Sequence, residues 1–216
     1  MPDLDPSTLL AAQFHEIKNQ LGQLALNLDE IALDRPELAQ VLKPARDTSR
    51  AIIDRLVQAL TLYKHGQNQL RLNVEAHSPT EFIHELAAEA KSLGAGRLSI
   101  AVNCDAAPPF WFFDRYLAGV AMLNAVHNAL EHARTRIELG ARRVEDGLCL
   151  YVGDDSDGYP AHILDNPGFE PNSSSRGTGL GLYFAQTIAR AHQNHGQQGR
   201  LHLRNEAGAV FSLWLP

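Results

Sequence analysis

Apolar residues near the start of the chain recur at alternating steps of four and three: Leu10, Phe14, Ile17, Leu21, Leu24, Leu28 and Ile31. That spacing draws one continuous seam along a helix, of the kind that packs against other helices. It predicts a first helix over about Ser7 to Leu33, with Ser7 as N-cap. Asp34-Arg35-Pro36-Glu37 breaks the pattern, with Asp34 placed to cap the next helix and Pro36 tolerated in its first turn. A second helix runs to about His65 and stops at Gly66. Its stripe is Leu38, Val41, Leu42, Ala45, Ile52, Leu56, Ala59 and Tyr63, with a kink expected at Pro44. Two antiparallel helices bury only one another's stripe, which is a poor core. The hairpin needs a second surface. A partner copy would supply one as a dimeric four-helix bundle through residues 7–65; docking onto the rest of the chain is the other solution.

Beyond Gly66 the pattern turns polar, with a short strand expected at Leu70 to Val74 inside a linker over residues 69–77. From Ser78 it changes again. Pro79 to Leu93 reads as an amphipathic helix through Phe82, Leu86, Ala90 and Leu93, and Arg97 to Cys104 alternates as a strand. Pro108-Pro109 is a turn, and Asp114 to Ala133 a long, mostly apolar helix. Strands follow at Arg134–Arg142 and Gly147–Val152, then a loop over Tyr159–Arg176, a helix over Gly181–His192, and a closing hairpin of Leu201–Asn205 with Val210–Leu215. The expected class is α+β: a helical hairpin (1–68), a linker (69–77) and an α/β sandwich (78–216).

Composition narrows the field. The 216 residues are 44% apolar, enough for a core, and the net charge of −6 implies no general attraction to nucleic acid. Cys104 and Cys149 have no paired spacing and read as reduced, buried thiols of a cytoplasmic protein. No apolar run approaches the roughly 18 residues of a membrane span, and the acidic N-terminus lacks the regions of a signal peptide.

Four clusters carry candidate chemistry. His15 lies one residue past a seam position, so it turns roughly 100° away from the core. Asn19 is four residues on and shares its face, and Glu16 is adjacent. A His-Glu-x-x-His zinc motif would need His at position 19, and Asn19 removes that reading. In the later half, Asn124, Asn128 and His132 fall in one line on an apolar helix, and amide oxygens suit Mg²⁺ as hard ligands. Val152 to Pro160 is a strand ending in a carboxylate, Asp154, then a turn through Gly158; such a carboxylate can accept from an exocyclic amine. Gly177-Thr178-Gly179-Leu180-Gly181-Leu182 opens a helix, where glycines let backbone approach phosphate. It is neither a P-loop, with no Lys after the glycines, nor a dinucleotide fingerprint, with no strand before it. His65, His77, His84, His162, His192, His195 and His202 join no constellation and read as surface or capping residues.

Taken in order, these clusters resemble the ATP-binding domain of sensor histidine kinases, shared more distantly with the ATPases of DNA gyrase, heat-shock chaperones and mismatch repair. Asn124 and Asn128 resemble its N box, Asp154 to Gly158 its first glycine box, and Gly177 to Leu182 its second. Phe169 resembles a remnant F box, and Gly208 to Pro216 the closing strand. His15-Glu16-Ile17-Lys18-Asn19 resembles the phosphoacceptor H box. The chain departs from that pattern at Ser156, where a glycine is usual, at Gln20, where a helix-bending Pro is common, and in a short, Ser-rich lid (Ser173 to Ser175).

The resemblance implies a homodimeric histidine kinase using ATP and Mg²⁺. Asp154 and Gly158 would hold adenine, and Asn124 and Asn128 would position Mg²⁺ on the triphosphate with His132 alongside. Arg176, Gly177, Thr178, Gly179, Leu180 and Gly181 would hold phosphate. His15 would accept the phosphoryl group, Glu16 would take the imidazole proton, and Asn19 would orient water for a phosphatase reaction. The implied partners are a response-regulator receiver domain and a separate sensor protein. Two other readings stay open. One is a histidine phosphotransfer protein that has lost productive ATP use. The other is an ATPase or anti-sigma kinase of the same superfamily, against which the His15 hairpin argues.

Overall fold

The computed structural model describes residues 6–94, 96–165 and 180–216, with side chains from residue 13 onward apart from residue 15. The chain divides into two compact units, Met1–Gln69 and Leu70–Pro216.

The first unit is a helical hairpin. Helix α1 spans Pro6–Asp34 and α2 spans Ala39–Gly66, joined by Arg35 and a 3-10 turn over Pro36–Leu38. Proline suits the first turn because its missing N–H has no partner there in any case. Ser7 lies inside the helix, one residue past its start. Asp34 closes α1 and does not cap α2, whose N-cap, Leu38, offers no side-chain bond. Helix α2 continues through Pro44, which withholds the one N–H that the Gln40 carbonyl would otherwise accept from. The helices interlock through buried Ser49, whose hydroxyl donates to the Leu21 carbonyl at 3.2 Å, and through Asp29, which pairs with Arg46 and with Arg50 at 3.1 Å. The seam divides in two: Phe14, Leu21 and Leu28 are half-buried, whereas Ile17, Leu24 and Ile31, each seven residues from the next, stay 43%, 47% and 43% exposed. Val41 and Ile52 of α2 are also exposed.

The second unit is a two-layer sandwich. Its five-stranded sheet has the order β2–β4–β5–β9–β8, built from Ser99–Asn103, Arg136–Val144, Gly147–Asp154, Ala209–Leu215 and Arg200–Asn205. Only β2 and β4 are parallel. Alternation gives the sheet a fully buried face of Ile137, Leu139, Leu148, Leu150, Leu213 and Leu215. Helices α3 (Pro79–Gly94), α4 (Arg115–His132) and α6 (Leu180–Ala191) cover it. Helix α4 brings small residues (Ala118, Ala121, Ala125, Ala129) to its neighbours, so it approaches them closely.

Several expectations change. The early strand is not at Leu70–Val74: β1 is Glu75–His77 and pairs with β3, Trp111–Phe113, which the sequence reading missed. The Asn73 amide is taken by the Asp114 carboxylate at 2.8 Å, and Phe113 is fully buried edge-on to His77 and Phe82. A one-turn helix, α5 (Ala161–Leu164), and a two-residue ladder of β6 (Gln193–Asn194) with β7 (Gln197–Gln198) were also unforeseen. His192 is buried and not a surface residue, though its ring does meet the Ile188 carbonyl at the end of α6 as a capping residue would, and Cys104 is only partly buried.

Candidate functional site

Strand β5 ends on Asp154, and the turn that follows is pinned from three sides. Asp154 Oδ1 accepts from the Ser156 amide at 2.9 Å and from the Ala209 amide at 3.1 Å, joining the turn to the start of β9. Ser156 does not disrupt the turn, for its hydroxyl accepts from the Gly158 amide at 3.1 Å. Gly158 has φ of +86°, a conformation that side chains resist. Next to it, the Asn205 side chain clasps the Tyr159 backbone, accepting from its amide at 2.8 Å and donating to its carbonyl at 2.9 Å. Gly208 packs so closely that a β-carbon there would meet the Asp154 carbonyl at 2.1 Å. Among the described residues these contacts use Oδ1 of Asp154 and leave Oδ2 its acceptor capacity. Burial, and then the Asp154 charge, push the Tyr159 phenol well above its ordinary range.

The neighbouring acid does different work. Asp155 accepts from the amides of Arg134 and Thr135 at 2.8 and 3.0 Å and from the Thr135 hydroxyl at 2.5 Å. These bonds, the hydroxyl's first, hold its carboxyl well below the usual carboxylate range. Arg134 and Thr135 follow α4 directly, so Asp155 ties the end of that helix to the acidic turn.

Helix α4 begins at Asp114, which caps it by accepting from the Leu117 amide at 2.9 Å. It carries Asn124, half-buried, and Asn128 and His132, both exposed. The start of α6 lies against it: a β-carbon on Gly181 would stand 3.6 Å from Asn124 Cγ, in ordinary contact. Three sequence clusters thus adjoin, Asn124 beside Gly181 and the end of α4 bonded to Asp155. Leu180 and Gly181 open α6, while Phe169, Ser173 to Ser175, Arg176, Gly177, Thr178 and Gly179 lie outside the described residues. Asn205, Asp155 and Ala209 were not singled out by sequence reasoning; Asn205 and Asp155 carry only the signal of a polar residue at a strand end, and Ala209, which acts through its backbone amide, carries none.

On the sheet's opposite face is a separate hollow of about 340 Å³ lined by Glu138, Arg142, Tyr151, Arg204 and Glu206. Tyr151 donates to Glu138 at 3.0 Å, and burial together with that carboxylate pushes its phenol up to about 12. The hollow reaches Asp154 and Asp155 but includes neither Asn124 nor Gly181.

In the helical unit, α1 is unbroken through residues 15 to 19. The His15 side chain lies outside those described. Glu16 and Asn19 are exposed, and Glu16 accepts from Gln20 Nε2 at 3.1 Å. Among the described residues, no helix is long and apolar enough to cross a membrane, and no cluster of His, Cys, Asp and Glu is arranged to hold a metal.

Residues 114–216 match the family described as histidine kinase-, DNA gyrase B- and HSP90-like ATPase. The chain is 25% identical to the sensor histidine kinase CpxA of Escherichia coli (strain K12) over 220 residues, covering 96% of this chain and 46% of CpxA. It is 27% identical to the sensor protein kinase PilS of Pseudomonas aeruginosa over 224 residues, covering 95% of this chain and 39% of PilS. The chain therefore spans less than half the length of either relative. In fold it is similar to full-length ShkA, whose structure was solved in complex with AMPPNP, with a TM-score of 0.69 at 18% identity over 96% of this chain and 45% of ShkA. Residues 114–216 thus match the histidine kinase-, DNA gyrase B- and HSP90-like ATPase family, in a chain similar in sequence to sensor histidine kinases.

Proposed function

We propose that this chain is a homodimeric histidine kinase that phosphorylates itself on His15 from Mg-ATP and passes the phosphoryl group to an Asp of a response-regulator receiver domain. The observation that carries this reading is the junction of three polar clusters around α4: Asn124 against Gly181 on one flank, and Thr135 bonded to Asp155 at its end. Adenine would meet Asp154 through the oxygen left over from its two backbone bonds. Phosphate would lie at the start of α6, where unpaired N–H groups and the helix dipole favour an anion. Asn124, half-buried, and Asn128, exposed, would offer hard amide oxygens to Mg²⁺, an ion that keeps several waters. The ion would neutralise charge on the triphosphate.

Neutral imidazole is the nucleophile at pH 7. One ring nitrogen of His15 would attack the γ-phosphorus, the bond to the ADP oxygen would break, and the proton on the other nitrogen would pass to Glu16. Glu16 retains acceptor capacity beside its bond from Gln20. Asn19 would orient water for the phosphatase direction. ShkA, similar in fold, is known in complex with AMPPNP, which accords with nucleotide use here. Dimerisation through residues 7–65 is supported by the exposed heptad Ile17, Leu24 and Ile31, which a second copy would cover. The test is titration of the full chain with Mg-ATP. Affinity in the micromolar to low-millimolar range is expected; no binding would leave a phosphotransfer protein.

A further inference from the structure

His192, just past the end of α6, is 4% exposed, yet both its ring nitrogens are engaged. Nδ1 lies 2.8 Å from the Ile188 carbonyl oxygen, and the Asp114 amide donates to Nε2 at 2.9 Å. A carbonyl only accepts and an amide N–H only donates. The neutral Nδ1–H tautomer is therefore the one form that satisfies both partners. Asp114 in turn spends both carboxylate oxygens on backbone amides: Oδ1 on Leu117 at 2.9 Å, capping α4, and Oδ2 on Asn73 at 2.8 Å. The His192 carbonyl accepts from the Gly199 amide at 2.9 Å, just before β8. One imidazole and one carboxylate thus join the start of α4, the end of α6 and the segment leading into the unit, and the His192 backbone carbonyl adds the sheet edge.

The two helices joined here are those on which Asn124 and Gly181 meet. We infer that His192 is a positioning residue of the proposed nucleotide site: through Asp114 it holds α4 and α6 at the separation where Asn124 touches Gly181. This rests on the nucleotide reading given above. An apolar ring of similar size would fill the space but leave the Asp114 amide buried without an acceptor, so α4 would lose its anchor to α6. Because the same carboxylate holds Asn73, displacement of the segment before β1 would also act on the start of α4.

The test compares His192→Phe and His192→Gln in the full chain, well below the melting temperature of each. Two quantities are read: Mg-ATP affinity by titration, and amide hydrogen exchange across α4 and α6. His192→Phe should weaken affinity about tenfold, the equivalent of one lost buried hydrogen bond, and speed exchange in both helices. His192→Gln, which keeps an acceptor for the Asp114 amide, should restore both even if it melts no higher than the Phe variant. Wild-type affinity in His192→Phe would overturn the positioning role while leaving the nucleotide reading intact. Unchanged exchange in that variant would overturn the clasp itself. A wild type that binds no Mg-ATP would overturn the nucleotide reading and this role with it.

Discussion

Thr135 gives both its amide and its hydroxyl to the carboxylate of Asp155, at 3.0 and 2.5 Å, and thereby draws the chain leaving α4 onto the acidic turn after β5. Folding thus lowers the carboxyl below its unfolded value of about 3.9. Between the two values the unfolded chain binds the proton more readily, so stability rises with pH there. The contribution is complete above about pH 5 and fades as pH falls through the folded value. Asp155→Asn should melt lower than wild type at pH 7, and the two melting curves should converge on acidification. Parallel curves from pH 6 to pH 2 would contradict this.

Asp154 separates binding from folding. Asp154→Asn keeps an oxygen for the Ser156 and Ala209 amides but presents an NH₂ where an adenine amine would need an acceptor. It should fold with stability within about 1 kcal/mol of wild type and lose at least about tenfold in Mg-ATP affinity. Asp154→Ala should lose both. Calorimetry and thermal melts of the two variants, read together, check the division.

Two glycines make a contrasting pair. A methyl group at Gly208 would collide with the Asp154 carbonyl at 2.1 Å, whereas at Gly181 it would rest against Asn124 at 3.6 Å. Gly208→Ala should cost about 1–3 kcal/mol in a denaturant melt. Gly181→Ala should leave stability within about 1 kcal/mol and weaken Mg-ATP binding several-fold, because the methyl fills space between α6 and Asn124. Normal Mg-ATP affinity in Gly181→Ala would count against phosphate lying there.

Much of the fold was legible because its signals are local. Phe82, Leu86 and Ala90 at helical spacing, and Ile137 and Leu139 alternating against Leu148 and Leu150, write their elements into the sequence. The strands β1 and β3 were not legible, since three residues carry no period and their pairing follows from Phe113 burying beside His77 and Phe82. In the candidate site, the helical line of Asn124, Asn128 and His132 and the strand-end position of Asp154 could be read directly. The division of labour between Asp154 and Asp155 could not, because it depends on which backbone amides the fold brings near. His192 was obscured by its polar neighbours Gln193, Asn194 and His195. The available clue was its place four residues beyond Ile188 and eight beyond Phe184, both fully buried on one face.

The helical unit exposes Ile17, Leu24 and Ile31 on one line. Leu24→Asp would set a carboxylate in the middle of that line and, in a dimer, one against its symmetry mate. The expected result in sedimentation is a shift from dimer to monomer at micromolar concentration with helix content retained. A wild type that sediments as a monomer would contradict dimerisation through this face.

The central claim is that phosphate from ATP reaches His15. Incubating the full chain with γ-labelled Mg-ATP and mapping the label tests it most directly. The expected product is acid-labile, alkali-stable phosphate on the peptide containing His15, absent from His15→Gln and strongly reduced in Asp154→Asn. Label of that kind persisting in His15→Gln, or a wild type that binds Mg-ATP and never takes up label, would contradict it.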